Sequence, residues 1–177
     1  MKNLFVVLLV FSLISCKNEK TENAETQQTK EQPAGNDFYT ITLDVIAQKD
    51  DSFHVFYTED GSVNFEENNS VWAEFKGSSN SQKLVFNLKK GVMPNQLRFD
   101  FGLNKQQGDV RLNSIEIAYL NQKVSFSGLE IFKFFRPNEL STTVDQANQT
   151  LKPINKDVNT SLYPIETLKP ELEKIMQ

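Results

Sequence analysis

From Phe38 onward the chain alternates large apolar and polar side chains in short runs separated by turn residues. A period of two is that of a strand with one face buried, and it leaves no room for long amphipathic helices. Tyr39, Ile41, Leu43, Val45 and Ala47 form the first run, and Gln48 to Asp51 turns the chain into Phe53, Val55 and Tyr57. Glu59-Asp60-Gly61 ends that run with a strong turn signal, and Val63 and Phe65 are placed to make a short strand or edge. Val71, Ala73 and Phe75 alternate with Trp72 and Glu74, followed by a loop over Gly77 to Ser81. Leu84, Phe86 and Leu88 come next, then Leu97, Phe99 and Phe101 beyond the break at Pro94-Asn95. Of the 14 phenylalanines, 12 fall between Phe38 and Phe135, which confines the core to that part of the chain.

After the polar turn Asn104 to Gly108, Val110 and Leu112 stand in one phase and Ile115, Ile117 and Tyr119 in the other. A slip of one residue would expose half the strand, so a bulge or break is expected at Asn113-Ser114. Leu120 to Lys123 reads as a hairpin connection into Val124 and Phe126. Seven or eight such strands, with no helical pattern between them, argue for an all-β sandwich. Ser127 and Glu130 have the spacing of a capping box, with Leu129, Ile131, Phe132 and Phe135 on one side of a short helix that Arg136-Pro137 stops. Residues 138–160 are polar with few anchors, although Gln149 to Ile154 has room for a last strand. Ile165, Leu168, Leu172 and Ile175 recur at helical spacing in the tail. The sandwich is therefore placed at residues 37–160 and a C-terminal helix at 161–177.

The first 36 residues are of another kind. Met1-Lys2-Asn3 precedes an apolar run from Leu4 to Leu13, broken only by Ser12, and the run ends in Leu13-Ile14-Ser15-Cys16. That run is shorter than the ~20 apolar residues a membrane-spanning helix needs, and it has the n-region, h-region and small residue of a signal peptide. Leu13-Ile14-Ser15-Cys16 resembles the lipobox of bacterial lipoproteins, with Leu at −3, a small residue at −1 and the Cys in place. The resemblance implies a signal peptide over residues 1–15, a diacylglyceryl group on the Cys16 thiol, and acyl chains of the palmitate type that hold the protein to a membrane. Each buried CH2 contributes about 0.8 kcal/mol, so two or three chains anchor stably where one does not. Cys16 is the only cysteine, which excludes a disulfide framework within the chain. Residues 16–36 then read as lipidated Cys and disordered tether, since Lys17 to Asn36 contains no large apolar side chain. Lys17 to Glu22, with Glu19 and Glu22, looks like the export signals of surface-exposed lipoproteins in Bacteroidetes-type bacteria. A solvated spacer is the equal alternative. The expected place is the outer membrane of a bacterial envelope, on its surface or its periplasmic face.

The order of elements between residues 38 and 136 resembles galactose-binding-like jelly-roll sandwiches that accompany glycan-handling enzymes. The residues carrying the resemblance are Val71-Trp72-Ala73-Glu74-Phe75, Gln82 to Phe86 leading through Pro94 to Leu97-Arg98-Phe99-Asp100-Phe101-Gly102, and Asp109 to Ala118. It implies a jelly-roll-like β-sandwich and a carbohydrate ligand, although a fold alone does not license a function.

Few residues offer chemistry. His54 is the only histidine, so any Ser-His-Asp triad must use it, with Asp50, Asp51 and Ser52 nearby. No Gly-x-Ser-x-Gly elbow occurs, and its parity opposite to Phe53, Val55 and Tyr57 makes it a solvent-facing strand residue. Asp50, Asp51, Glu59, Asp60, Glu66 and Glu67 gather around the early turns. Such carboxylates serve a glycosidase when paired across a cleft and a structural calcium when several converge. The alternating Asp/Asn pattern of a calcium loop is missing, and solvated surface is the favoured account of them, with a structural calcium second. Trp72, with Tyr57 and Tyr119, offers flat rings on which a sugar can stack, each with one polar atom, unless they are core or cross-strand neighbours. The net charge of −4 and the lack of a Lys/Arg run argue against nucleic acid. Cys/His zinc sites and phosphate-cradling glycine loops have no residues to build them. The expectation is a lipid-anchored, non-catalytic binding module, for carbohydrate first. An accessory or structural subunit docking an envelope protein complex is the alternative, and a glycosidase-type enzyme stands last.

Overall fold

The structure is a computed structural model, and it describes residues 36–177. The lipobox, Cys16 and the tether up to Gly35 lie outside the described residues. Eleven strands follow in order: β1 (Asn36–Ala47), β2 (Asp51–Thr58), β3 (Ser70–Phe75), β4 (Ser78–Asn87), β5 (Gln96–Phe101), β6 (Val110–Leu120), β7 (Gln122–Ser127), β8 (Phe135–Pro137), β9 (Thr142–Asp145), β10 (Thr150–Pro153) and β11 (Ser161–Pro164). A single α-helix, α1 (Leu168–Lys174), closes the chain. Every paired strand is antiparallel.

The strands make two sheets. The first has the order β4-β1-β6-β10-β9, with β7 sharing the β6 edge beside β10, and the second has the order β3-β2-β5-β11-β8. Only β2–β3, β6–β7 and β9–β10 are consecutive pairs within a sheet; the other connections pass from one sheet to the other. That alternation encloses one core between the two inner faces, the arrangement of a sandwich. Tyr39, Ile41, Leu43 and Val45 enter it from β1, Phe53 and Val55 from β2, and Phe99 and Phe101 from β5, all essentially without solvent contact.

The phase change in β6 is a bulge. Asp44 faces Ser114 while Val45 faces Leu112, so Asn113 is the extra residue that lets Leu112 and Ile115 both point inward. The hairpin after it is tighter than the sequence suggests, with Tyr119 opposite Gln122 and Leu120 at φ 52° in the turn.

Several expectations are corrected. Ser78 to Ser81 are strand and not loop: β4 begins at Ser78 and pairs with Ala47 past a register shift. Ser79, Asn80 and Ser81 are exposed on this edge strand, where polar residues of low strand propensity are tolerated. Gly77 precedes them because a Cβ there would sit 2.5 Å from the Gln48 carbonyl oxygen. Val63 to Phe65 form no strand; Phe65 instead leans on Phe56 and Tyr163.

The segment Gly128–Lys133 is a 3-10 helix in which Ser127 makes no side-chain cap. Gly128 enters it at φ 57°, and Phe134 and Phe135 are drawn onto Phe126 at 4.1 and 6.3 Å between ring centres. Phe135, Arg136 and Pro137 thereby become β8, and Leu129, expected on the packed side, is exposed. The sandwich also runs past residue 160. β11 lies between β5 and β8, and the helix is confined to Leu168–Lys174. Besides Leu151, which is fully buried, residues 138–160 are tied down by buried polar groups. The Ser141 hydroxyl donates to the Asn159 carbonyl at 2.8 Å, and the Ser161 N–H donates to Thr142 Oγ1 at 2.9 Å. The tail packs as its spacing predicts, with Leu168, Leu172 and Ile175 buried.

Candidate functional site on the outer face of the second sheet

Antiparallel pairing sets His54 of β2 between Trp72 of β3 and Asp100 of β5, and Phe56 between Ser70 and Arg98. One strand further, Ser161 faces Asp100, and Tyr163 of β11 faces Arg136 of β8. Directly opposed residues share a face, so His54, Phe56, Trp72, Arg98, Asp100, Tyr163 and Arg136 all lie on the side away from the core. An ordinary outer face would be wet, yet His54 is 2% exposed and Asp100 is 3%. The expectation of a solvent-facing histidine is thus corrected.

The cover is built by the neighbours. The His54 imidazole stacks on the Trp72 indole at 3.6 Å and 18°, and touches Phe56 at 3.9 Å. Trp72 Nε1 donates to Glu67 Oε1 at 2.9 Å, which holds the indole at a fixed angle over the strand. His54 Nε2 lies 3.7 Å from the same oxygen, too far for a hydrogen bond, and has no partner. Burial pushes the His54 pKa down to about 4; Glu67 opposes the shift and Arg98 adds to it. The imidazole is neutral at pH 7. Its Nε2 makes no hydrogen bond to a hydroxyl.

Arg98 is held from both sides. Its Nε and Nη2 donate to the two oxygens of Asp100 at 2.8 and 2.7 Å, and its guanidinium lies 4.9 Å from the Phe56 ring centre and 4.7 Å from that of Tyr163. Burial raises the Asp100 pKa above the usual carboxylate value even against the pull of Arg98 and Asn159. Arg136 stands on the other side of Tyr163, 5.7 Å from the ring centre, and is exposed. Beside it opens a groove of about 620 Å³, a size that takes a small ligand. Gly61, Val63, Gln96, Arg136 and residues 164–167 line it.

The three aromatic candidates do not form one platform. Trp72 lies on this outer face, 39% exposed, with one side of the indole taken by His54. Tyr57 has the inward parity of Phe53 and Val55 and is 2% exposed, and burial, with Glu59 adding, raises its phenol pKa. Tyr119 belongs to the first sheet and stacks on Tyr39 at 4.7 Å. The carboxylates separate as well. Asp50 and Asp51 are at the start of β2 and Glu59 and Asp60 beyond its end, about 25 Å apart for an extended strand.

Protein donors already occupy these carboxylates. Asp50 binds Lys76 Nζ and the Gly77 N–H, both at 2.8 Å, and Lys76 holds its pKa below the usual value. Asp51 accepts the N–H groups of Ser52, Leu103 and Asn104 and the Gln107 amide, which pins the loop after β5. Glu59 accepts the Met93 N–H, and Asp60 the Ser62 N–H. Among the described residues, no group of three His, Cys, Asp or Glu side chains is arranged to hold a metal ion.

Arg98, Asp100, Tyr163, Arg136 and Gln96 were not singled out by the sequence. A signal existed in Phe53-His54-Val55-Phe56-Tyr57, where apolar residues occupy both parities, the mark of a strand covered on both faces. Comparison with protein-family models, with curated proteins and with solved structures gave no match.

Proposed function

We propose that the protein is lipid-anchored in a bacterial envelope and that its sandwich is a non-catalytic binding module for carbohydrate. The observation that carries the reading is Trp72: an indole braced by His54 on one side and by Glu67 at its nitrogen, with its remaining surface open to water. Sugars present apolar C–H faces with hydroxyls at the rim, and a rigid aromatic of this kind stacks on such a face without losing rotamer freedom. The groove beside Arg136 lies at the other edge of the same face, four strands from Trp72 or about 19 Å at the usual strand spacing, so an oligosaccharide and not a single sugar would reach both. The lipobox ending in Cys16 supports the anchor, and the polar stretch to Asn36 would present the sandwich away from the membrane.

Affinity gels containing a panel of plant and microbial polysaccharides test the binding role. At least one polysaccharide should retard the protein, and Trp72→Ala should weaken the retardation by about tenfold or more, about 1.4 kcal/mol. Retention by no polysaccharide would overturn the reading. Crosslinking to an envelope protein in the same cells would then favour the accessory-subunit role. For the anchor, Cys16→Ala should leave the membrane fraction and lose labelled lipid. Protease shaving of intact cells separates surface from periplasmic exposure.

A further inference from the structure

Tyr163 is flanked by two arginines whose situations differ in one respect. Arg98 has both a tyrosine face and a carboxylate, held in a two-pronged contact. Arg136 also lies against the Tyr163 ring but has, among the described residues, no carboxylate partner. Its planar fork matches a carboxylate better than any other anion-binding side chain. The Gln96 side chain, on a residue 8% exposed that lines the groove, makes no hydrogen bond among the described residues, and its Oε1 is buried without a partner. Reversing the amide does not remove the problem, since it exchanges an unmet acceptor for an unmet donor. A buried polar group left unpaired is costly; the Oε1 is closed to water, and the groove reaches Gln96 through the rest of its amide.

Val63, Pro164 and Ile165 are apolar, Lys169 Nζ lies beside Gly61, and exposed Glu166 contributes the one negative charge. The Thr167 hydroxyl is spent on the Lys133 carbonyl. From these contacts we infer that the groove receives an acidic sugar of the uronic-acid class. Its carboxylate lies on Arg136, a ring hydroxyl meets the Gln96 amide, and an apolar ring edge lies on Val63 and Ile165. This rests on the carbohydrate reading above and narrows it to a charge and a place.

The test is titration calorimetry of the described domain joined to its natural tether, using oligogalacturonate, alginate and hyaluronan fragments, and the methyl ester of each as its neutral counterpart. At least one acid form should bind about tenfold or more tighter than its ester, and added salt should weaken it. Arg136→Gln should erase the difference between acid and ester while leaving the melting temperature unchanged, because Arg136 is exposed. Gln96→Leu should weaken both forms. Equal binding of acid and ester, or an unaltered preference in Arg136→Gln, overturns the inference. If neutral polysaccharides bind and acid forms show no advantage, the inference fails and the carbohydrate role stands; if no glycan of either charge binds, both fail.

Discussion

The outer faces of the two sheets cover the same core in different ways. On the first sheet, β1 alternates strictly, and its outward Thr40, Thr42 and Asp44 meet Asn87, Val85 and Lys83 of β4 at the water surface. The contacts there are ordinary: Thr40 to Asn87 at 3.1 Å, and Lys123 to Glu116 at 3.0 Å with both side chains well exposed. On the second sheet, the outward side of β2 is almost as buried as the inward side, and it contains a histidine with an unpaired nitrogen next to a buried Arg–Asp pair. Removing such groups from water costs stability, and a buried ion pair rarely returns more than it loses. The first sheet shows that this core can be closed without that cost. The second face holds Trp72 and Tyr163 in a fixed geometry at that cost, and the proposed binding role rests on this observation.

Substitutions on the two faces should break or sharpen this contrast. The largest effect is expected from Arg98→Ala, which leaves Asp100 buried without its cation and uncovers Phe56 and Tyr163. A loss of about 3 kcal/mol or more should appear in urea unfolding. Should Arg98→Ala prove as silent as a surface change, the second face is no more than an ordinary one.

A smaller effect comes from pH. His54 has its folded pKa depressed to about 4, below the ordinary 6.5, so the unfolded chain binds the proton more readily. Stability is then full above pH 6.5, falls as the pH drops toward 4, and levels off below it. Asp100 works in the opposite sense: its raised pKa makes the folded state bind its proton first, a gain on acidification. The histidine is therefore best read between pH 6.5 and 5. His54→Phe should flatten the fall in that window, and a wild-type curve already flat there would contradict the burial of His54. The smallest effect belongs to the first sheet, where Lys123→Ala should change unfolding by no more than about 0.5 kcal/mol.

Much of the fold was legible because the inward apolar residues alternate along β1, β5 and β6, and along β2 apart from Phe56, although both faces of β2 and β5 are largely buried. The bulge at Asn113 was readable from the clash between the phase of Leu112 and that of Ile115. β11 was not readable, because a four-residue strand with one large core residue, Leu162, carries no alternation. β9 and the segment before it were hidden because their anchors are Ser141 and Thr142, whose burial depends on hydrogen bonds to residues far along the chain. On this outer face the sequence marked Trp72, His54 and Glu67, each for a separate reason and none as neighbours of the others. The remainder forms across strands brought together by pairing, so Arg98, Tyr163 and Arg136 meet on one face although nothing local marks them.

Nuclear magnetic resonance of the labelled domain during titration with a polysaccharide that binds it tests the central claim most directly. Signals from the outer face of the second sheet should move first, led by the Trp72 indole N–H and the Arg136 and Gln96 side chains, while Thr42, Glu116 and Lys123 stay in place. Shifts centred on the first sheet, with the Trp72 indole unmoved, would contradict the account.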